Sequence, residues 1–290
     1  MATTPAIDGV LLVDKPDGVS SHDVVLAARR ATGEKRIGHG GTLDPFATGL
    51  LVLLLGRATR LLPYMDGEPK VYRATVRFGA ETDSEDLLGA VIRTAPLPDE
   101  ATVRAALPRL TGDIEQLPPM YSAKRVDGRR AYEAARAGET VELRPVTIRV
   151  HAWDVLEWRG EEMDVRITCG GGTYVRSLAR DLGRLVGSAA HLVRLRRERS
   201  GPFDVSDANT IEDLREKRAR ILPPRRAVAS LPAEPLEDWA VRRVVRGIDV
   251  EAHVDGRYAA LVTEPAEVLV AVAERRGDRW QPRVVMREAE

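Results

Sequence analysis

Between Val71 and Gly79 the chain alternates: Tyr72, Ala74, Val76 and Phe78 share one side, Arg73, Thr75 and Arg77 the other. A period of two marks a strand with one buried face. The same pattern runs over Ile148–Val155 and Met163–Cys169, with a turn around Gly160 between them. Two short apolar runs, Ile7–Val13 and Leu50–Leu55, read as buried strands; the first is stopped by Pro16 and Gly18, the second closed by Gly56. Helical spacing appears in three places. Ser20 or Ser21 caps a helix that carries Val24, Val25 and Ala28 and stops near Gly33. A helix over Asp99–Leu110 is shortened or kinked by Pro108. A third, over Thr173–Val186, has Tyr174, Leu178, Leu182 and Leu185 as an apolar stripe, with Arg176, Arg180 and Arg184 at i, i+4, i+8 on another face. Thr210 and Asp213 form a capping box for one more helix. Gly38–Gly41 and the acidic stretch Glu81–Gly89 read as loops.

Pro223-Pro224 and the stretch Leu231-Pro232-Ala233-Glu234-Pro235 punctuate the chain. A boundary there gives two domains, 1–232 and 233–290. The smaller one reads mainly as strands, over Tyr258–Thr263, Val268–Ala273 and Trp280–Met286. No internal repeat or low-complexity segment interrupts the pattern. Strands adjacent in sequence and mixed with helices predict an α+β class built on a mostly antiparallel sheet.

Composition narrows the function. The 290 residues are 43% hydrophobic, enough for a sizeable core, and 30% charged. The longest strongly apolar run, Leu50–Leu55, is far below the ~20 residues of a membrane helix. Met1–Asp8 lacks the basic and apolar regions of a signal peptide, so a cytoplasmic location is expected. Cys169 is the only cysteine, which leaves no intramolecular disulfide, and none of the five histidines pair at metal-ligand spacing. No metal or other cofactor is expected. Formal net charge is zero, yet arginines crowd between Arg176 and Arg199, and a local basic patch can meet phosphates on a neutral protein.

The most unusual stretch is Gly38-His39-Gly40-Gly41-Thr42-Leu43-Asp44-Pro45-Phe46-Ala47-Thr48-Gly49, which sets a histidine and an aspartate among glycines between a helix and a buried strand. Asp before Pro is held extended or in a turn. Asp44 is therefore either a turn cap or a reactive carboxylate presented by a fixed loop. The glycine spacing does not complete a dinucleotide fingerprint.

Gly41-Thr42-Leu43-Asp44-Pro45, followed by Ala47-Thr48-Gly49-Leu50-Leu51, resembles the catalytic motif of the TruB-type pseudouridine synthases. Further segments resemble the same family in the same order. They are Gly9–Ser21, Lys70-x-Tyr72, Gln116–Ala123 continuing to Gly128 and Tyr132, Gly172–Gly183, and Leu192–Arg197. The resemblance runs from Ile7 to Phe203. The sequence departs from the pattern at Arg125, which stands where the family carries lysine after Lys124, and at Gly40, where many members carry threonine.

The resemblance implies a pseudouridine-synthase fold with a small PUA-like C-terminal RNA-binding domain. It implies isomerisation of uridine at position 55, in the T-loop of tRNA, by a monomer without an obligate protein partner. It implies Asp44 as the essential carboxylate, Arg176 as its partner, and Tyr72 stacked on the target base. His39 would fill or open the space that a flipped base leaves, and Leu195 would wall the uracil pocket. Tyr174 joins the substrate-binding set. Lys15, Arg180, Arg194 and Arg197 become candidate phosphate contacts, and the acidic loop with Asp83 and Asp86 takes part in RNA engagement.

Overall fold

The computed structural model describes residues 7–65, 67–120, 125–126, 129–130, 143–265 and 267–286. Tyr121, Ser122, Ala123, Lys124, Gly128 and Tyr132, and the Arg125 side chain, lie outside the described residues. The chain divides into two compact units: Met1–Gly67 with Gly201–Glu290, and Glu68–Ser200.

In the first unit, β1 (Gly9–Lys15) and β3 (Thr48–Leu55) pair antiparallel from Gly9↔Leu55 to Lys15↔Gly49. A short strand, β2 (Ile37–His39), also pairs with β3, so Gly38 and His39 are strand residues and the loop begins only at Gly40. The two apolar runs are unbroken because both faces of this ribbon are covered. Leu11, Val13, Leu51, Leu53 and Leu55 pack with Val24, Val25 and Ala28 of the helix Ser21–Thr32 and with Leu214. Val10, Leu12, Leu50, Val52 and Leu54 pack on Ala260, Val262, Leu269 and Val272 from the C-terminal part. Burial on one face would have produced alternation instead. Ser20 caps that helix with Asp23 in a capping box, and Gly33 ends it at φ 75°.

The second unit is built on an antiparallel sheet. Its core strands are β4 (Lys70–Phe78), β7 (Gly112–Gln116), β10 (Val146–Trp158), β11 (Glu162–Cys169) and β12 (Ala190–Ser200), in the order β12-β4-β11-β10-β7. A hairpin, β5 (Ala80–Thr82) with β6 (Val91–Thr94), follows β4, and a second, β8 (Arg125–Val126) with β9 (Arg129–Arg130), precedes β10; the short β13 (Phe203–Asp204) belongs to the first unit. Along β4 the predicted alternation holds for Tyr72, Ala74, Val76 and Phe78, all buried, against exposed Arg73 and Arg77. Thr75 breaks it: it is buried with its hydroxyl donated to Asp164 at 2.6 Å. The helix Val175–Leu185 packs beside β12.

Beyond the first unit's helix Ile211–Arg215, capped by Thr210 and Asp213 as the sequence predicts, lies a five-stranded sheet. It runs β14 (Ala233–Leu236), β16 (Tyr258–Thr263), β17 (Leu269–Arg276), β18 (Arg279–Val285), β15 (Val250–Glu251), with β14–β16 parallel and the other pairs antiparallel. Its anchor is Trp280, fully buried among Leu236, Val244, Leu261 and Val270, with its indole N–H donated to Glu234 at 2.8 Å. The fold is α+β on mostly antiparallel sheets, as the sequence pattern predicts.

Candidate active site

In the first unit the chain around Asp44 is pinned on both sides. Before it, the buried Ser21 hydroxyl accepts from the Leu43 N–H at 2.8 Å and donates to the Leu43 carbonyl at 2.9 Å. After it, the Pro45 carbonyl accepts from the Gly18 N–H at 3.0 Å and from Lys15 Nζ at 3.0 Å. The Ala47 N–H closes a turn onto the Asp44 carbonyl at 3.1 Å. Asp44 itself is half-buried between these anchored peptides. The backbone on both sides of this carboxylate is held by scaffold, which suits a reacting group.

Lys15 does the anchoring from inside. Its side chain is fully buried, and its ammonium donates to the carbonyls of Pro16, Val19 and Pro45 at 2.9, 2.7 and 3.0 Å. Burial lowers its pKa to about 8, against the pull of Asp17, Asp44 and Asp23. A phosphate contact at Lys15 is therefore corrected: three carbonyls occupy an ammonium that has only three N–H donors. His39 sits half-buried at the end of β2, immediately before the glycine loop.

The second unit carries the other candidates. Tyr72 is 7% exposed and lies opposite Ile167 on one neighbouring strand and Arg197 on the other. Leu195, also 7% exposed, lies opposite Ala74. Directly opposed residues share a sheet face, so the register brings Tyr72, Leu195 and Arg197 together. Lys70, two residues before Tyr72, is held below the usual lysine range by burial and by the neighbouring Arg197. Tyr174 is half-buried at the N-cap of the helix Val175–Leu185. The buried Gln116 side chain grips its backbone, accepting from its N–H at 2.9 Å and donating to its carbonyl at 3.0 Å.

The arginine face of that helix is not a solvated basic stripe. Arg176 and Arg180 are each 4% exposed. Arg176 donates to the Ser84 carbonyl at 2.8 Å and lies 3.6 Å from the Asp86 carboxylate. Arg180 pairs with Glu85 and Asp181 and donates to the Leu117 carbonyl at 2.8 Å. Arg184 pairs with Glu81, which also takes Arg93. Phosphate contact through Arg180 is thus corrected, because its guanidinium is enclosed by acceptors of its own unit. Arg197, 2% exposed, is likewise buried and off the solvated face, whereas Arg194 is exposed.

The acidic stretch changes meaning with it. Glu81, Glu85 and Asp86 turn inward, at 2, 6 and 6% exposure, and only Asp83 among the stretch's carboxylates stays out. Burial pushes the Glu85 carboxyl up, against Arg180, Ser177 and Arg176. Ser21 and Glu85 escaped the sequence reading. Ser21 stands beside an equally good cap at Ser20, and Glu85 looks like one more surface charge; only the fold reveals either partner set. Among the described residues no cluster of His, Cys, Asp and Glu is arranged to hold a metal ion. Nor is any described helix long and apolar enough to cross a membrane.

The pinned loop and Tyr72 fall within one family model, and Arg176 with its helix falls mainly within a companion model. Residues 29–175 match the model of the TruB family pseudouridylate synthase N-terminal domain, and residues 176–249 that of the tRNA pseudouridylate synthase B C-terminal domain. The chain belongs to the TruB family of pseudouridylate synthases. Among its relatives is the tRNA pseudouridine synthase B of Thermobifida fusca, 45% identical over 96% of this chain and 98% of its own length. The protein of that name from Gloeobacter violaceus is 41% identical over 97% of this chain and 99% of its own. Among solved structures, an H/ACA RNP bound to a substrate RNA containing 2′-deoxyuridine superposes at TM-score 0.74 with 25% identity, covering 97% of this chain and 86% of that one. A Cbf5–Nop10–Gar1 complex gives 0.73 with 27% identity, covering 97% and 85%.

Proposed function

We propose that the protein isomerises uridine to pseudouridine in tRNA, at position 55 of the T-loop, with Asp44 as the essential carboxylate. The observation that carries this is the loop around Asp44, pinned before and after the reactive residue inside the motif that resembles the family's catalytic one. The name shared by the curated relatives supports tRNA as substrate.

The reaction breaks N1–C1′, turns the uracil, and joins C5 to C1′. The C5 proton leaves and N1 gains one, so atoms balance with no redox step, and the chemistry asks for no cofactor. The needs are an ionised carboxylate near the sugar and a pocket that keeps the freed base. Asp44 supplies the carboxylate. Arg176 serves as its partner, the role the family resemblance gives it: a guanidinium favours an ionised carboxylate and orients it. Tyr72 stacks on the base, with Leu195 as an apolar wall and Tyr174 near the mouth of the arginine helix. The target base leaves the RNA stack at a cost of about a few kcal/mol, and His39 takes its place. Arg194 meets phosphate. The strands and helix of 233–290 form a PUA-like RNA-binding domain. The enzyme works in the cytoplasm as a monomer that needs no partner protein.

The test is an unmodified tRNA transcript tritiated at uridine C5. Wild type should release tritium without added metal or nucleotide, and mass mapping should place the product in the T-loop. Asp44→Asn should bind the transcript and release none. Binding without release by the wild type would replace this reading with an RNA-folding role.

A further inference from the structure

Glu85 has an unusual combination of properties for a loop residue. It adopts φ 62°, in the left-handed region that favours glycine, yet it carries a long charged side chain that is 6% exposed. A non-glycine residue is uncommon there and persists where its surroundings over-determine it. They do so here at every polar group. The Glu85 N–H donates to the Thr82 carbonyl at 3.1 Å, and its own carbonyl accepts from the Leu192 N–H at 3.1 Å. One carboxylate oxygen accepts from the Ser177 hydroxyl at 2.7 Å and the other pairs with Arg180. Backbone and side chain thus tie one loop residue to β12 and to the helix Val175–Leu185.

The residues on either side of Glu85 are those that hold Arg176. The Ser84 carbonyl accepts from Arg176 Nη1 at 2.8 Å, and the Asp86 carboxylate stands 3.6 Å from the same nitrogen. Asp86 is itself fixed, accepting from the Ser84 hydroxyl at 2.6 Å and the Leu88 N–H at 3.0 Å. A left-handed residue reverses the local sense of the chain, which lets groups from positions 84 and 86 converge on one guanidinium. Arg176, Ser177 and Arg180 lie within one turn of the helix, so the side chain of Glu85 docks beside the group that its neighbours grip.

We propose that Glu85 is a positioning residue for the isomerisation: by clamping Ser177 and Arg180 it fixes the loop whose Ser84 carbonyl and Asp86 carboxylate orient Arg176. This rests on the reading that Arg176 serves the reaction. Glu85 touches no substrate; its effect passes through the loop.

The experiment measures kcat and KM for tritium release, with melting temperature, for Glu85→Gln and Arg176→Ala beside the wild type. Glu85→Gln keeps the size and hydrogen-bonding ability of the side chain but not its charge. Misplacement of a reacting group by about 1 Å costs ~100-fold in rate, and a fraction of that shift should lower kcat by about 10-fold. KM should stay within about two-fold, because RNA binding surfaces are untouched. A folded Glu85→Gln enzyme with wild-type kcat overturns the inference. If Arg176→Ala also turns over at the wild-type rate, it is the reading of Arg176 that has failed; if Arg176→Ala is inactive, only the role of Glu85 falls. Should Glu85→Gln fail to fold, Ser177→Ala removes one arm of the clamp. It should then lower kcat about three- to five-fold at unchanged KM, and an unchanged kcat overturns the inference.

Discussion

Replacing Ser21 by alanine tests whether the Asp44 loop is held from the helix Ser21–Thr32. The hydroxyl of Ser21 is the hydrogen-bond partner of both the N–H and the carbonyl of Leu43, at 2.8 and 2.9 Å. Ser21 and Leu43 are each 3% exposed, so water does not replace the lost group freely. An ordinary neutral hydrogen bond contributes about 1 kcal/mol net, and a buried group left unpaired costs about 1–3 kcal/mol. Two bonds lost together should destabilise the protein by about 2–4 kcal/mol. With a urea m-value of about 3 kcal/mol per molar, that moves the midpoint down by roughly 0.7–1.3 M. Helix propensity pulls the other way by a few tenths of a kcal/mol, since alanine is the better helix former, and does not change the sign. Activity should fall further than stability explains. Under conditions where the variant is fully folded, kcat should drop at least about 10-fold with tRNA affinity little changed, because Asp44, next to Leu43, is the proposed carboxylate of the reaction. Urea unfolding followed by circular dichroism and single-turnover tritium release measure the two effects separately. A midpoint within about 0.2 M of wild type together with a wild-type kcat would refute the view that this hydroxyl fixes the loop.

The corrected arginines yield a contrast. Arg194→Ala should weaken tRNA binding and reduce the slope of log K against log salt by about one. Arg180→Ala should leave that slope alone and destabilise the fold by about 3–5 kcal/mol, because it strands Glu85 as a buried charge; filter binding across a salt series and thermal melting distinguish them. Gly183→Ala places a Cβ 2.5 Å from the Ala190 backbone nitrogen, which cannot swing aside as a side chain can. A strain of about 1–3 kcal/mol lowers Tm by roughly 2–10 °C for a protein of this size, and an unchanged Tm in calorimetry would count against the packing described. Acid should loosen the C-terminal sheet through Glu234. Burial pushes its carboxyl up, but hydrogen bonds from the His253 backbone and ring, from Trp280 and from the Val254 N–H outweigh that and hold it below 4.5. Its folded pKa is depressed, so its stabilisation is present above pH ~4.5 and is lost as pH falls below that value. Trp280 fluorescence should report the loss as pH falls below about 4.5, and Glu234→Gln should weaken that dependence.

The sequence by itself determined many of the elements and singled out the loop that carries Asp44. The period of two on β4, the unbroken runs of β1 and β3, and the caps at Ser20 and Thr210 follow from local periodicity and local hydrogen bonding, which need no distant partner. Asp44 stood out for the same reason, as an aspartate fixed by the following proline in a glycine-rich stretch. Tyr72, Leu195 and Arg197 could be named as candidates but not grouped, because register between strands more than a hundred residues apart is a tertiary fact. The charges were where sequence reasoning met its limit. Arg176, Arg180, Lys15, Glu81, Glu85 and Asp86 have the composition of a solvated surface, and an isolated charge belongs in water. Whether a charge is buried depends on partners brought from elsewhere in the chain: Glu85 to Arg180, or Pro45 to Lys15. Only the fold supplies those partners, and with them it turns an apparent basic stripe and an acidic loop into the framework that holds Arg176.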